Sequence, residues 1–219
     1  MDLIFDYLFR WGHFLSGITW IGLLYYFNFV QGAYFKEAED DARVDAFTKL
    51  VPRALWWFRW GALLTFLTGC VLLANRAGGG FGGYTQDIAL GALMGTLMFL
   101  NVWGIIWRNQ KVVIASNEQI KAGGEALAGA AGAAGKALLA SRTNTLFSLP
   151  MLFFMGSSAH APNGVTGDAG TGFFIGLAII AILEVNAIVG KQGPMTSVSG
   201  VITSGFVLTA ILWGLLRFV

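Results

Sequence analysis

Six long apolar stretches, separated by more polar segments, set the pattern of the chain. A transmembrane helix needs roughly 20 mostly apolar residues. The six stretches that approach this length are 11–30, 55–73, 88–107, 145–161, 172–190 and 198–219. The fourth is the shortest, and we expect Pro150 to bend it. The pattern predicts an all-α, polytopic transmembrane helix bundle of about six spans, forming one domain over residues 1–219.

The composition supports a membrane protein and excludes several other classes. Hydrophobic residues make up 56% and charged residues 12% of the 219 residues, which is too little charge to cover a soluble surface. The 14 Lys and Arg nearly balance the 12 Asp and Glu, so no nucleic-acid partner is expected. The single cysteine, Cys70, excludes an intrachain disulfide and a CxxCH haem attachment. We expect Cys70 to be a small, buried core residue.

The distribution of basic residues predicts the orientation. Eleven of the Lys and Arg lie in or beside the segments after the first, third and fifth spans, and the other three are Arg10, Arg76 and Arg217. Because cytoplasmic loops carry the excess of positive charge, the N-terminus is expected outside and loops 34–53 and 109–141 in the cytoplasm. Asp2 and Asp6 stand where a signal peptide would be positive, so we expect the first span to be retained.

A glycine-rich loop between the second and third spans has the formal pattern GxGxxG, at Gly78, Gly80 and Gly83. Dinucleotide binding requires this pattern between a strand and a helix. Here it joins two membrane spans, so a flexible turn is the better interpretation.

The only two histidines, His13 and His160, are predicted at the outer ends of the first and fourth spans. These spans run in opposite directions, so both imidazoles belong to the same leaflet. Helical phase places Gly17 on the face of His13 and Gly156 on the face of His160, one turn deeper in each case. Such glycines would leave a flat space for a planar macrocycle between two helices.

These positions lead to the hypothesis of a non-covalent haem b, with His13 and His160 as axial ligands. Trp20 and Phe153 would form apolar walls, and Arg10 or Arg76 would neutralise a propionate. Interfacial histidines also serve as amphipathic anchors, and membrane helices use glycine for close packing, so this alternative stays open. A Zn or Cu site is less well supported, because two histidines leave the ligand shell short.

Glu184 is the one carboxylate predicted well inside a span, with Asn186 close by. Intramembrane acids are candidates for a proton path or an internal ion pair. Snorkelling toward water is the alternative, and a structural role is favoured.

Four motifs in order resemble the bacterial membrane-bound urate hydroxylases, the urate oxidase N-terminal domain family. They are WGHFLSGITWIG at 11–22; WFRWG at 57–61; NVW at 101–103 with NQKVV at 109–113; and SRTN at 141–144 with Leu149-Pro150 and His160-Ala161-Pro162. Together these motifs cover roughly the first three quarters of the chain. The first span also resembles the bacterial membrane protoporphyrinogen oxidases, which are similar haem-associated bundles.

The resemblance implies a bacterial inner-membrane module, with its site near the periplasmic face, that is linked to oxidation of urate to 5-hydroxyisourate. It also implies that electrons leave through a cytochrome c. Urate hydroxylases of the family end in a cytochrome c domain, whereas this sequence ends at Val219 without CxxCH, so a separate cytochrome c or membrane redox partner is expected. The corresponding family motif is Ser-Arg-His-Asn, and this chain has Thr143 in place of the motif's histidine.

Three functions follow from these observations. The first is an oxidoreductase acting on urate or a similar small molecule. The second is a non-catalytic haem subunit for electron transfer or assembly, which the short chain and Thr143 favour. The third, a transporter, ranks last because only Pro150 indicates a broken helix.

Overall fold

The computed structural model describes residues 3–77 and 83–219. Apart from an isolated antiparallel bridge between Thr85 and Val165, the regular structure of this part is helical. The α-helices are α1 Leu3–Tyr25, α2 Gly32–Glu37, α3 Asp40–Ala77, α4 Gln86–Asn101, α5 Trp107–Lys121, α6 Ala130–His160, α7 Thr171–Val189 and α8 Val198–Phe218. Short 3₁₀ helices, Thr166–Asp168 and Gly193–Thr196, precede α7 and α8.

Two π-helical segments join neighbouring α-helices without a break. Tyr26–Gln31 connects α1 to α2, and Val102–Ile106 connects α4 to α5. The wider turn is visible in the backbone, where the amide of Gly32 donates to the carbonyl of Phe27 and the amide of Trp107 donates to the carbonyl of Val102. Single π turns of this kind are rare in proteins, and those that occur often lie at functional sites.

The long helices alternate in direction, so the bundle has two ends. The Gln86 end contains the start of α1, the end of α3, the start of α4 and the end of α6. It is closed by Asp87, which accepts hydrogen bonds from Ser157 and Asn163. The Lys121 end contains the start of α3 and the end of α5, joined by the contact of Lys121 with Asp45.

Helix α6 lies at the centre of the bundle, where it packs against α4, α5, α7 and α8. Its buried Phe147 and Phe154 belong to one apolar core together with Met94 and Met98 of α4. Helix α1 lies to the side and packs mainly on α3. Helix α6 continues through Pro150, which is buried.

Four helices of the described part are long and apolar enough to cross a membrane: Asp40–Ala77, Gln86–Lys121, Thr171–Val189 and Val198–Phe218. The all-helical, membrane-spanning class predicted from the sequence is therefore confirmed. The predicted spans 11–30 and 145–161 also lie largely in helices, α1 and α6, but these two helices are not among the four that are apolar enough. Both contain polar side chains, such as Arg10 and His13 in α1 and Asn144 in α6.

Residues 34–53 and 109–141, predicted to join the spans, are largely helical, because α3 begins at Asp40 and α5 continues to Lys121. Cys70 is exposed, so its prediction as a buried core residue is wrong. It lies on a face of α3 that no other helix of the described chain covers, as do Leu64 and Leu67. In the glycine-rich loop, Gly83 has a positive φ of 69°, while Gly78 and Gly80 lie outside the described residues.

Candidate functional site

A polar cluster at the Gln86 end brings together α1 and α3. Asp6 accepts a hydrogen bond from Nε of Arg10 at 2.5 Å and another from Nδ2 of Asn75 at 2.6 Å. The Asp6 carboxylate is buried, with a side-chain exposure of 5%. Because a buried carboxylate requires partners, these two contacts fix the start of α1 against the end of α3.

Arg76 extends this cluster to α6. Its guanidinium is buried and donates to the Gly83 carbonyl at 3.1 Å and to Ser158 Oγ at 3.4 Å. Ser158 lies two residues before His160. Arg76 also interacts electrostatically with Arg10 and Asp6. The two cations predicted to neutralise an anionic group thus lie in one cluster with the carboxylate of Asp6.

His13 lies on the face of α1 that packs against α3. Its Nδ1 is 3.0 Å from Thr68 Oγ1, and a Cβ added to Gly69 would lie 3.2 Å from its ring. Thr68 Oγ1 donates its own proton to the Leu64 carbonyl at 2.7 Å. When this hydroxyl accepts Nδ1–H, the neutral ring has its lone pair on Nε2, the nitrogen that a metal would use.

His160 is the last residue of α6 and is exposed. On the same face, Gly156 has open space where a Cβ would stand, and Phe153 is 42% exposed. On this exposed face of α6, no neighbouring residue of the described chain covers Gly156. Over the described residues, no contact joins this surface to His13, which faces α3 instead.

A hydrogen bond between α1 and α6 relates the depths of the two histidines. Tyr25 and Ser148 join their hydroxyls at 2.9 Å. His13 and His160 each lie twelve residues from that pair, toward the Gln86 end, or about 18 Å of helix at 1.5 Å per residue. The antiparallel register thus brings both histidines toward the same end of the bundle.

The remaining predicted pocket residues on α1 have packing roles. Trp20 is 2% exposed and belongs to the apolar core. Gly17 faces α3, where a Cβ would lie 3.9 Å from Thr65. Gly61 of α3 approaches the backbone of Trp20 so closely that a Cβ there would lie at 3.2 Å. The glycines of this pair of helices hold α1 and α3 together.

Glu184 belongs to a network that sequence reasoning missed. Asn101 Nδ2 lies 3.1 Å from Glu184 Oε2 and 3.0 Å from Asn144 Oδ1. Asn144 Nδ2 donates to the Met98 carbonyl at 2.9 Å. The network joins α4, α6 and α7 and supports the structural role favoured for Glu184. Asn186 is separate from it and caps α7 through the backbone of Lys191.

Asp87 is a second polar residue that was missed. It is fully buried and accepts hydrogen bonds from Ser157 Oγ at 2.7 Å and from Nδ2 of Asn163 at 2.8 Å through Oδ1, and from the backbone amide of Asn163 at 2.7 Å through Oδ2. The sequence signal was an acid in the first turn of a helix, after Thr85 as N-cap. Its position directly before the third predicted span, 88–107, did not distinguish a buried acceptor between helices from an acid that only favours the start of its own helix.

Thr143 occupies the position of the family's motif histidine. It is fully buried, and its hydroxyl donates to the Leu139 carbonyl at 3.1 Å. This side chain is used within its own helix.

No group of three or more His, Cys, Asp or Glu suited to a metal ion occurs among residues 3–77 and 83–219. A two-histidine haem site would not form such a group. The fold and the polar end together define a polytopic helical membrane protein with a polar cluster at the end that carries its histidines.

Comparison with known proteins identifies the family. The family model described as urate oxidase N-terminal matches residues 79–197, just over half of the chain. The chain therefore belongs to the urate oxidase N-terminal family. The matched region contains His160, Gly156 and Thr143, and His13 precedes it. No curated protein and no solved structure matches the chain.

Proposed function

We propose that this chain is a membrane oxidoreductase module that binds haem b and oxidises urate or a similar small molecule, passing electrons to a separate cytochrome c. It would cross a bacterial inner membrane about six times with its N-terminus outside, so that the Gln86 end faces the periplasm. Family membership supports the relation to urate hydroxylases. The excess of basic residues at the other end supports the orientation.

The observation that carries the haem proposal is the hydrogen bond of His13 to Thr68. Metal-binding histidines usually donate their second ring N–H to an acceptor, which fixes the tautomer. In the tautomer that donates Nδ1–H to Thr68, His13 would be held in this way. His160, with open space at Gly156 beside it, would supply the second imidazole. When bound by both, the haem supplies one-electron transfer with no open iron position for oxygen.

The residues of the chain would then orient and hold an anion. Arg10 and Arg76 place two guanidinium groups at the Gln86 end, beside the carboxylates of Asp6 and Asp87. A haem propionate or a urate anion would be attracted to these guanidinium groups, since urate is anionic near neutral pH. Arg76 hydrogen-bonds Ser158, two residues before His160 on α6.

A dithionite-reduced minus oxidised absorption spectrum of the detergent-purified protein tests the proposal. We expect a sharp α band that is lost in both His13→Ala and His160→Ala. Ser16→Ala is the matched control, because its hydroxyl bonds only within α1, at the Gly12 and His13 carbonyls. A folded protein without the band, or a band that survives either histidine substitution, would overturn the two-ligand site.

A second candidate is a non-catalytic haem subunit for electron transfer or assembly. The observation that favours it is Thr143, whose buried hydroxyl bonds to its own helix where the family motif has a histidine. Addition of urate to the oxidised, haem-loaded protein separates the two. Reduction of the haem supports the oxidoreductase, and an unchanged oxidised spectrum supports the subunit.

A further inference from the structure

Five of the eight tryptophans lie close together on α3, α5 and the π-helical segment before α5. They are Trp56, Trp57, Trp60, Trp103 and Trp107, here called the tryptophan band. Trp60 and Trp103 meet edge to face, with ring centroids 5.8 Å apart, and Trp56 and Trp57 are 45% and 60% exposed. Tryptophan is enriched where membrane proteins pass the boundary between lipid and water. The tryptophan band is therefore expected at such a boundary.

The spacing along the helices places the tryptophan band at the membrane surface opposite the Gln86 end. Arg59 lies 17 residues before Arg76 in α3, or about 26 Å of helix at 1.5 Å per residue. Asp87 and Trp107 are 20 residues apart through α4 and the π-helical segment, or about 30 Å. A hydrocarbon core is roughly 30 Å thick. Since Arg76 and Asp87 belong to the Gln86 end, Arg59 and Trp107 are expected at the headgroup level of the other leaflet.

Two basic side chains lie over the ring of Trp107. Cζ of Arg59 is 3.8 Å from the ring centroid, and Nζ of Lys111 is 5.7 Å from it. The two charges therefore lie within about 10 Å of each other, no more than one Debye length in 0.1 M salt. A cation over the face of an indole is attracted by the ring. Trp107 thus positions both charges where α3 packs against α5.

Neither of these charges has a carboxylate partner in the described part of the chain. The ion pairs found there involve Asp6, Asp40 and Asp45, and none of them includes Arg59 or Lys111. Two like charges this close repel each other, and a bound anion would relieve the repulsion.

The donors of both side chains can be reached from the surface. Lys111 is exposed and Arg59 is half-buried. The Arg59 guanidinium makes no hydrogen bond to any described residue, and none of its nitrogens is fully buried. Its five N–H donors lie in a planar fork that matches the oxygens of a phosphate. The geometry therefore favours an anion with phosphate oxygens that approaches from outside the bundle.

We propose that Arg59, Trp107 and Lys111 form a binding site for the headgroup of an anionic phospholipid. The phosphate would accept hydrogen bonds from Arg59, and Lys111 would supply the second positive charge. The occupant is a lipid, because the site lies at headgroup level beside exposed apolar rings that would pack against an acyl chain. The site lies at the other membrane surface from the proposed haem site and does not depend on haem binding.

Native mass spectrometry of the detergent-purified, full-length protein tests the proposal, because it resolves bound lipids one at a time. The protein would be titrated with phosphatidylglycerol and, separately, with phosphatidylcholine that has the same acyl chains. One basic residue near a headgroup changes affinity for an anionic lipid about fivefold. We expect the first phosphatidylglycerol to bind at least fivefold more tightly than the first phosphatidylcholine.

Three substitutions, each removing one positive charge, locate the site. Arg59→Gln and Lys111→Gln should each weaken phosphatidylglycerol binding about fivefold and leave phosphatidylcholine binding unchanged. Lys111 is exposed, so its substitution keeps the fold. Arg108→Gln is the matched control, because Arg108 is exposed beside Trp107 in sequence but has no described contact with the ring. It should change the preference by less than about twofold.

The ring itself gives a further test. Trp107→Leu removes the aromatic face that positions Arg59 and should weaken phosphatidylglycerol binding, whereas Trp107→Phe keeps an aromatic face and should retain more of it. Loss of the preference in Arg59→Gln and Lys111→Gln, but not in Arg108→Gln, supports the proposal. Equal affinity of the wild-type protein for both lipids, an equal loss in Arg108→Gln, or unchanged binding in Lys111→Gln overturns it.

Discussion

Thr68 of α3 pairs with the ring nitrogen Nδ1 of His13 in α1 at 3.0 Å. The threonine hydroxyl also donates to the Leu64 carbonyl, and in the tautomer with a proton on Nδ1 it accepts that proton and leaves Nε2 for a metal. Because Thr68 belongs to α3 and His13 to α1, this contact depends on the packing of two helices. Gly69 makes room for the ring, since a Cβ there would lie 3.2 Å from it.

Thr68→Val removes this acceptor with little change of shape. If His13 is a haem ligand, we expect haem affinity to fall by about tenfold or more, the usual effect of losing the partner of a ligating histidine. Haem content per protein, measured by the pyridine haemochrome spectrum at limiting haem, checks this. Thr68→Ser should retain haem, because it keeps the acceptor.

Thr65→Val controls for the general effect of losing a threonine from α3. Thr65 is buried and its hydroxyl bonds the Gly61 carbonyl within the helix. Its substitution should leave haem content near the wild-type level. Full haem occupancy in Thr68→Val would show that the hydrogen bond does not prepare His13 as a ligand.

Asp87 should be among the most important polar residues for stability. In Asp87→Ala the donors of Ser157 and Asn163 lose a charged, fully buried acceptor. We expect a loss of about 2 to 4 kcal/mol in the free energy of unfolding. Denaturant titration in mixed micelles, followed by tryptophan fluorescence, measures it.

Asp168→Ala is the comparison for this substitution. Asp168 is exposed in the 3₁₀ helix that precedes α7, so its loss should change stability by no more than about 0.5 kcal/mol. Similar effects of the two substitutions would mean that Asp87 does not close the Gln86 end.

The sequence predicted the helical class well because hydrophobic runs report helix length directly. It predicted the ends of helices poorly. Residues 40–54 are too polar to belong to a predicted span, yet they form the first part of α3, which begins at Asp40, because polar residues also form helices outside an apolar environment. Periodicity also gave no sign of the π turn at Tyr26–Gln31, which depends on how α1 packs against its neighbours.

The part of the candidate site that the sequence could describe belongs to one helix. The spacing of His160 and Gly156 is a property of α6 alone, and this face of α6 is exposed. Contacts between helices were not predictable from spacing. Neither the bond from His13 to Thr68 nor the one from Arg76 to Ser158 has a signal in the sequence, because each requires a particular rotation of both helices.

The network of Asn101, Asn144 and Glu184 should be energetically coupled. Removal of Asn101 alone, in Asn101→Leu, leaves Glu184 without its amide partner. In Asn101→Leu/Glu184→Leu both polar groups are gone, so the double variant should be less destabilised than the sum of the single ones. We expect a coupling energy of about 0.6 to 1.7 kcal/mol, the range for hydrogen bonds between membrane helices.

The coupling is measured by a double-mutant cycle in SDS unfolding of the reconstituted protein. A matched pair without contact is Asn101→Leu with Asn186→Leu, because Asn186 caps α7 against Lys191 instead. That pair should be additive. Additivity of Asn101 with Glu184 as well would contradict a shared network.

Stability at the Gln86 end should depend on pH through Asp6. Burial alone would raise the pKa of the Asp6 carboxyl, but the hydrogen bonds from Arg10 and Asn75 and the charge of Arg10 outweigh it, so the pKa lies below its ordinary value. A lowered folded-state pKa stabilises the protein above the unfolded pKa of about 3.9, and this contribution is lost as pH falls through the folded value.

Asp6→Asn should therefore be less stable than wild type at pH 6, and the difference should shrink steadily as the pH is lowered below 4. Unfolding titrations of both proteins at pH 6, 4 and 3 measure it, and a difference that is constant over this range would show that the Asp6 charge does not hold α1 against α3.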